Sequence, residues 1–243
     1  MPYQVVLYWF FLGSSIVSAA HADDWASFRG STGNGAAIQA TLPTNWTQDD
    51  ICWKTELPGY GWSQPIVFGE TVYLTAAVSE QLKPPKNMMA GVVDPSTIAA
   101  GKLRAPDIEI DWQVIAVSLA SGAIQWTHSA TIGKPKFPVH ASNSFATETC
   151  CADAHGVYAY FGATGTVVAV DHQGHERWRA ELGAHKTVQG FGSGASPAIS
   201  NGILAVTCFN DEASYVVGFE TKTGKEVWRK QWSEKTLPLG DRR

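Results

Sequence analysis

Basic residues are scarce here and they do not cluster. The 243-residue chain holds 18 Lys and Arg against 22 Asp and Glu, a formal net charge of −4. Without a basic stripe there is no electrostatic footprint for nucleic acid. Cysteine is limited to Cys52, Cys150, Cys151 and Cys208. Four cysteines allow three pairings, and spacing alone does not choose among them. No Ser/His/Asp order, phosphate loop or metal-ligand cluster stands out. Gly190–Gly194 reads Gly-Phe-Gly-Ser-Gly, but no strand-to-helix junction surrounds it, which excludes a dinucleotide fingerprint. His172 and His175 lie three residues apart in a turn, which is not a zinc signature on its own.

Long apolar runs are missing except at the N-terminus, where Val5–Ala20 is apolar and followed by Ala20-His21-Ala22. This pattern predicts a signal peptide over 1–22, with Asp23 the first mature residue and a periplasmic or secreted product. Its leading region lacks Lys and Arg. The alternative, an uncleaved anchor, has a run shorter than the ~20 residues of a comfortable span. No Cys follows the cleavage site, so a lipoprotein anchor is not supported.

What is present is a repeat. Short β-branched and aromatic runs alternate with turn dipeptides, the pattern of antiparallel meanders. Three copies close on a small residue, a polar residue, a turn Gly and a Trp. They are Ala116, Ser118, Gly122 and Trp126; Ala169, Asp171, Gly174 and Trp178; and Gly218, Glu220, Gly224 and Trp228. The Trp-to-Trp spacings are 52 and 50 residues, suited to a four-stranded blade with its loops. A terminal Trp brings a large apolar area and one N–H donor for docking against a neighbour.

These residues resemble the tryptophan-docking motif of the PQQ-like, quinoprotein-type β-propeller repeat family. The opening Trp25-Ala-Ser-Phe-Arg-Gly30 also resembles the start of exported members. The resemblance covers roughly Trp25 to Trp232. It implies an all-β fold: an incomplete β-propeller of about three four-stranded blades plus an N-terminal strand. The mature chain, 23–243, divides into blades near 62–128, 143–180 and 192–232. A Pro-rich insertion at 79–111 carries Met88 and Met89. Ile51–Leu57 is expected to be an outermost strand with Trp53 as its docking residue, completing the last blade as in closed propellers. Arg29 is expected either to pin the N-terminal arm to a blade carboxylate or to be solvated. With family members usually longer, the chain reads as truncated, with open blade edges suited to self-association.

The resemblance also supplies candidate chemistry. PQQ-dependent alcohol dehydrogenases carry an adjacent-Cys disulfide beside the quinone, which makes Cys150 and Cys151 weak cofactor candidates. Aligning Gly156 with Gly202 places the pair on Ser196-Pro197, at the start of an innermost strand. Two thiols facing opposite sides of that strand is the alternative. His140 and Asn143 are candidates for lining the channel. Calcium ligands and a catalytic Asp have no placeable counterpart, so no catalytic or metal residue is assigned. Asp171 and Glu220 hold equivalent positions and are expected to hydrogen-bond their turns. The functional expectation is a non-catalytic exported scaffold for protein or peptide partners. A PQQ- and calcium-dependent dehydrogenase, or a fragment of one, is the alternative.

Overall fold

In the computed structural model, residues 24–37, 43–85, 104–187 and 190–231 are described. The expected signal peptide and the centre of the Pro-rich insertion, with Met88 and Met89, lie outside the described residues.

Twelve strands form three four-stranded antiparallel sheets, each in simple meander order. Blade 1 is β1 (Ile66–Phe68), β2 (Thr71–Val78), β3 (Ile110–Ser118) and β4 (Ile124–Gly133). Blade 2 is β5 (Cys151–Asp153), β6 (Gly156–Phe161), β7 (Thr166–Val170) and β8 (Glu176–Glu181). Blade 3 is β9 (Ala198–Ser200), β10 (Ile203–Cys208), β11 (Tyr215–Glu220) and β12 (Glu226–Gln231). The short strands β1, β5 and β9 lie innermost, and those of neighbouring blades contact each other. The fold is thus all-β, an open array of three propeller blades among the described residues.

Alternation gives each blade two apolar faces. One face, here called forward, carries a row that runs straight across the sheet. In blade 1 the row is Ile66–Tyr73–Ala116–Trp126, and in blade 2 it is Cys151–Tyr158–Ala169–Trp178. In blade 3 it is Ala198–Ala205–Gly218–Trp228. The opposite, receiving face carries Val157, Ala159, Phe161, Val168 and Val170 in blade 2, all buried against blade 1's forward face. Leu204, Val206, Cys208, Val217 and Phe219 of blade 3 meet blade 2's forward face in the same way. On blade 1 the matching residues are Val72, Leu74, Ala76, Ile115 and Val117, with Trp53 packed on them. One blade cannot bury both faces alone, so the core is a stack of inter-blade seams.

The outer strands carry the charge. β8 and β12 repeat the same local pair, Arg179 with Glu176 at 2.6 Å and Arg229 with Glu226 at 2.7 Å. Charged side chains on an edge strand discourage pairing with foreign strands.

Two sequence expectations need correction, and one pair of alternatives is decided. Residues 51–57 make no ladder pairs among the described residues, while the Trp53 indole N–H donates to Leu119 O. Among the described residues, side chains alone tie the segment to blade 1. Of the two readings of Arg29, the solvated one holds: the exposed guanidinium meets no carboxylate among the described residues and donates to Asn34 O, while its backbone N–H donates to the Gln64 side chain. The register also shifts the repeat alignment by one. The β9–β10 turn is Asn201-Gly202, but Gly156 is already the first residue of β6. Cys150-Cys151 therefore stands on Pro197-Ala198.

Candidate functional site at one end of the blades

In a meander every second connection leaves at the same end. At the end where β2, β4, β6, β8 and β10 finish, the connections include 79–109, 134–150 and 182–197. At the opposite end no turn exceeds five residues. Long loops on a rigid stack of sheets are where binding residues concentrate. The short-turn end carries the docking instead.

Each dock is built alike. Trp126 lies against Gly174, and its indole N–H donates to His172 O at 3.0 Å. Trp178 lies against Gly224 and donates to Thr221 O at 2.8 Å. Trp53 lies against Gly122 and donates to Leu119 O at 2.9 Å. Each glycine has φ between +71° and +90°, and a Cβ on any of them would fall within 3 Å of the indole. Glycine is therefore required twice over, for the turn and for the close approach. Trp228 breaks the series. It rests on Gly218 of its own blade, is 42% exposed, and its N–H has no acceptor among the described residues. Asp171 accepts the backbone N–H groups of Gln173 and His175, and Glu220 accepts the Thr223 hydroxyl, so both hold their turns.

His172 does more than its turn position suggests. Its Nε2–H donates to Asp153 O at 3.0 Å, which leaves Nδ1 to accept the Tyr73 hydroxyl at 2.9 Å. The ring also stacks on Phe68 at 5.2 Å. One histidine thus ties blade 1 to blade 2 through its ring and, via Trp126, through its carbonyl. The i,i+3 spacing to His175 gives no sign of this, because the partners lie from 19 to about a hundred residues upstream.

At the long-loop end a belt of hydrogen bonds passes from blade to blade. The position two before each inner strand repeats: Gln64, Thr149 and Ser196. Gln64 N–H donates to Thr149 Oγ1 at 2.8 Å, and Thr149 N–H donates to Ser196 Oγ at 3.0 Å. Arg29 N–H donates to Gln64 Oε1 at 3.0 Å, so the N-terminal arm takes the preceding place. The arm also pairs Trp25 with Val67 on the inner edge of β1.

Beside the belt lies Glu148, fully buried. It accepts Gly162 N–H of blade 2 at 3.0 Å, the N–H of Thr147 and the Ser193 hydroxyl of the blade 3 run-in. Burial pushes its carboxyl up to about 7, because desolvation outweighs those donors.

The sequence candidates at this end are spent on the fold. His140 Nδ1 accepts Ser142 N–H, and its ring lies 5.3 Å from Phe191. Asn143 accepts Phe145 N–H and donates to Phe191 O. Cys150 packs in the blade 1–2 seam and Cys151 in the blade 2–3 seam. Both are free thiols, and burial pushes Cys150 up to about 12 and Cys151 well above its ordinary value. A bridge between neighbours on opposite faces of a strand, packed in different seams, does not match this arrangement.

Aromatic rings open to solvent at this end include Trp62 at 56% exposure, Phe191 at 44% and Phe209 at 53%. Two are held firmly. Trp62 donates its indole N–H to Ser142 O at 2.6 Å, and Phe191 is held by Asn143 and His140. Both contacts are made with the 140–144 loop. The opposite end has a cleft of about 420 Å³ between blades 2 and 3, lined by Asp153, His155, Asn201, Glu220 and Lys222. Arg177 crosses between these blades by donating to His155 O and Lys222 O.

No group of three or more metal-ligating side chains occurs among the described residues, and no helix there is long and apolar enough to cross a membrane.

Residues 163–242 match the family described as "Outer membrane protein assembly factor BamB". No curated protein matches the chain. Among solved structures, quinohemoprotein alcohol dehydrogenase from Comamonas testosteroni aligns at 15% identity and TM-score 0.49, over 88% of this chain and 28% of that one. A europium-containing methanol dehydrogenase aligns at 16% identity and TM-score 0.45, over 74% of this chain and 26% of that one. BamB from Moraxella catarrhalis aligns at 17% identity and TM-score 0.31, over 54% and 51%. The chain spans about a quarter of the dehydrogenase chains and half of the BamB chain. The family match covers blade 3 and the second half of blade 2, so the likeness to that PQQ-type repeat family extends over about the last third of the chain, and the same strand register recurs upstream in blade 1.

Proposed function

We propose that the protein is an exported, non-catalytic scaffold that binds extended peptide or protein segments at the long-loop end of its blades. The observation that carries this reading is the clamped aromatic pair, Trp62 and Phe191, both exposed and both held by the 140–144 loop. Rigid aromatic rings supply contact area at low entropic cost. Backbone groups of the surrounding loops add polar contacts. The match to an outer membrane assembly factor supports a partner-binding role in the envelope. The predicted signal peptide supports export.

The dehydrogenase reading draws on the quinoprotein resemblance. Its nearest candidates fit a quinone seat poorly: Cys150 and Cys151 diverge into different seams, and His140 and Asn143 are engaged with the fold. No catalytic step is therefore derived through PQQ or calcium.

The test is a binding screen of the full mature chain against an array of extended peptides, with Trp62→Ala and Phe191→Ala in parallel. The scaffold reading expects hits that weaken at least tenfold in both variants. Hits unaffected by either variant would reject this face. Bound quinone at micromolar PQQ with Ca²⁺, together with dye reduction by alcohols, would reject the non-catalytic reading.

A further inference from the structure

Among the described residues, the forward face of blade 3 is a dock without a counterpart. Its row Ala198–Ala205–Gly218–Trp228 has the register of the two rows that are covered by a following blade. In those rows the indole is held between its own blade and a glycine turn of the next. Trp228 has only the first half of that arrangement, Gly218, and is open on the other side. The belt gives an independent sign. Gln64 and Thr149 each donate a backbone N–H to the next blade, while Ser196, third in the series, makes no such bond among the described residues.

The matching half-site exists elsewhere on the same chain. The 119–122 turn of blade 1 offers a carbonyl at Leu119 and a positive-φ Gly122, the two features that hold Trp126 and Trp178 at the later turns. The receiving face beside it has the register of the receiving faces of blades 2 and 3. Its present occupant is Trp53, from a segment with no ladder pairing among the described residues. That segment is held by the Trp53 N–H to Leu119 O, by the Thr55 hydroxyl to Gly122 O at 2.5 Å, and by ring contact. A whole blade brings a sheet face as well as the indole, so it competes well against a single extended strand.

We propose that blade 3 seats blade 1 of a second copy of this chain, with Trp228 taking the 119–122 turn that Trp53 fills within one copy. The contact is head-to-tail. The proposal extends the scaffold reading and rests on it only for the idea that the blades serve assembly.

The test is sedimentation velocity on the full mature chain across a concentration series, without ligand. Expected is a dimer that grows with concentration. Trp228→Ala should remain monomeric throughout. Trp53→Ala empties the turn and should move the dimer midpoint on the order of tenfold lower, since competition in cis reduces the fraction able to bind. Trp53→Phe keeps the packing but lacks the donor to Leu119, and should move it part of the way. The double variant Trp53→Ala, Trp228→Ala should be monomeric, and circular dichroism confirms that each variant is folded. A chain that stays monomeric even as Trp53→Ala overturns the proposal. So does a dimer that survives Trp228→Ala, or one indifferent to Trp53→Ala. None of these outcomes bears on peptide or quinone binding, so the scaffold reading stands or falls separately.

Discussion

Replacing Trp178 by alanine should cost far more stability than the same change at Trp228, although the two residues hold one position in the repeat. Trp178 is 8% exposed and lies in the blade 2–3 seam. Its ring centroid is 5.9 Å from Tyr158 and 6.1 Å from Phe219, and its N–H satisfies Thr221 O. Truncation removes the indole's buried area, leaves a cavity between sheets that relax only partly, and orphans a carbonyl. Such changes cost about 3–5 kcal/mol. Trp228 is 42% exposed and has no acceptor among the described residues, so its truncation in the monomer should cost about 1 kcal/mol. The expected difference is about 3 kcal/mol. With a urea m-value of about 2–3 kcal/mol/M, that separates the midpoints by about 1 M or more. Urea unfolding followed by far-ultraviolet circular dichroism, at concentrations below any self-association, reads this directly. If Trp178→Ala and Trp228→Ala lie within about 1 kcal/mol of each other, the indole is not the bolt of the seam.

Further outcomes follow from the same geometry. Glu148 has a raised folded pKa of about 7 against an ordinary 4.5. It therefore contributes stability that is complete below pH 4.5 and is lost as pH rises through about 7, by about 3 kcal/mol. Glu148→Gln should flatten that slope in pH-dependent thermal melts, and an unchanged slope would exclude Glu148 as its source. Gly224→Ala and Gly33→Ala share φ +71°, but only the first meets an indole, with Trp178 at 2.6 Å; Gly33 has open space. Gly33→Ala should cost about 1 kcal/mol for backbone strain, and Gly224→Ala an additional 1–3 kcal/mol for overpacking, measured by urea midpoints. Tyr73→Phe removes the hydroxyl that His172 Nδ1 accepts and should cost about 1 kcal/mol. A neutral result in denaturant titration would show that the blade 1–2 seam does not depend on that bond.

Much of the fold is legible because each blade repeats a local pattern. Small residue, turn glycine and tryptophan recur at nearly fixed spacing, and the apolar alternation between turn dipeptides marks the strands. The one-residue slip at Gly156 has a physical origin. A two-residue hairpin accepts glycine inside the turn, as at Gly202, or just after it, as at Gly156 (φ +153°), and composition does not separate these cases. Segment 51–57 looks like a strand because it alternates and carries a docking Trp, yet ladder pairing depends on a neighbour that no local pattern reports. The site is far less legible. The belt through Gln64, Thr149 and Ser196 uses three different side chains, so no identity marks their shared position. His172 and Glu148 act across blades, on partners distant in sequence. His140 and Asn143 attract notice as polar residues near an inner strand, but their partners are local turns and the Phe191 loop.

The shared docking role of the repeated tryptophans is tested most directly by hydrogen exchange at their indole N–H groups, resolved by nuclear magnetic resonance on dilute protein. Trp53, Trp126 and Trp178 donate to carbonyls at 2.9, 3.0 and 2.8 Å, so these three should exchange slowly, with Trp178 the most protected. Trp228 should exchange at close to the rate of a free indole. Fast exchange at Trp126 and Trp178, or protection at Trp228 equal to theirs in the monomer, would contradict the account.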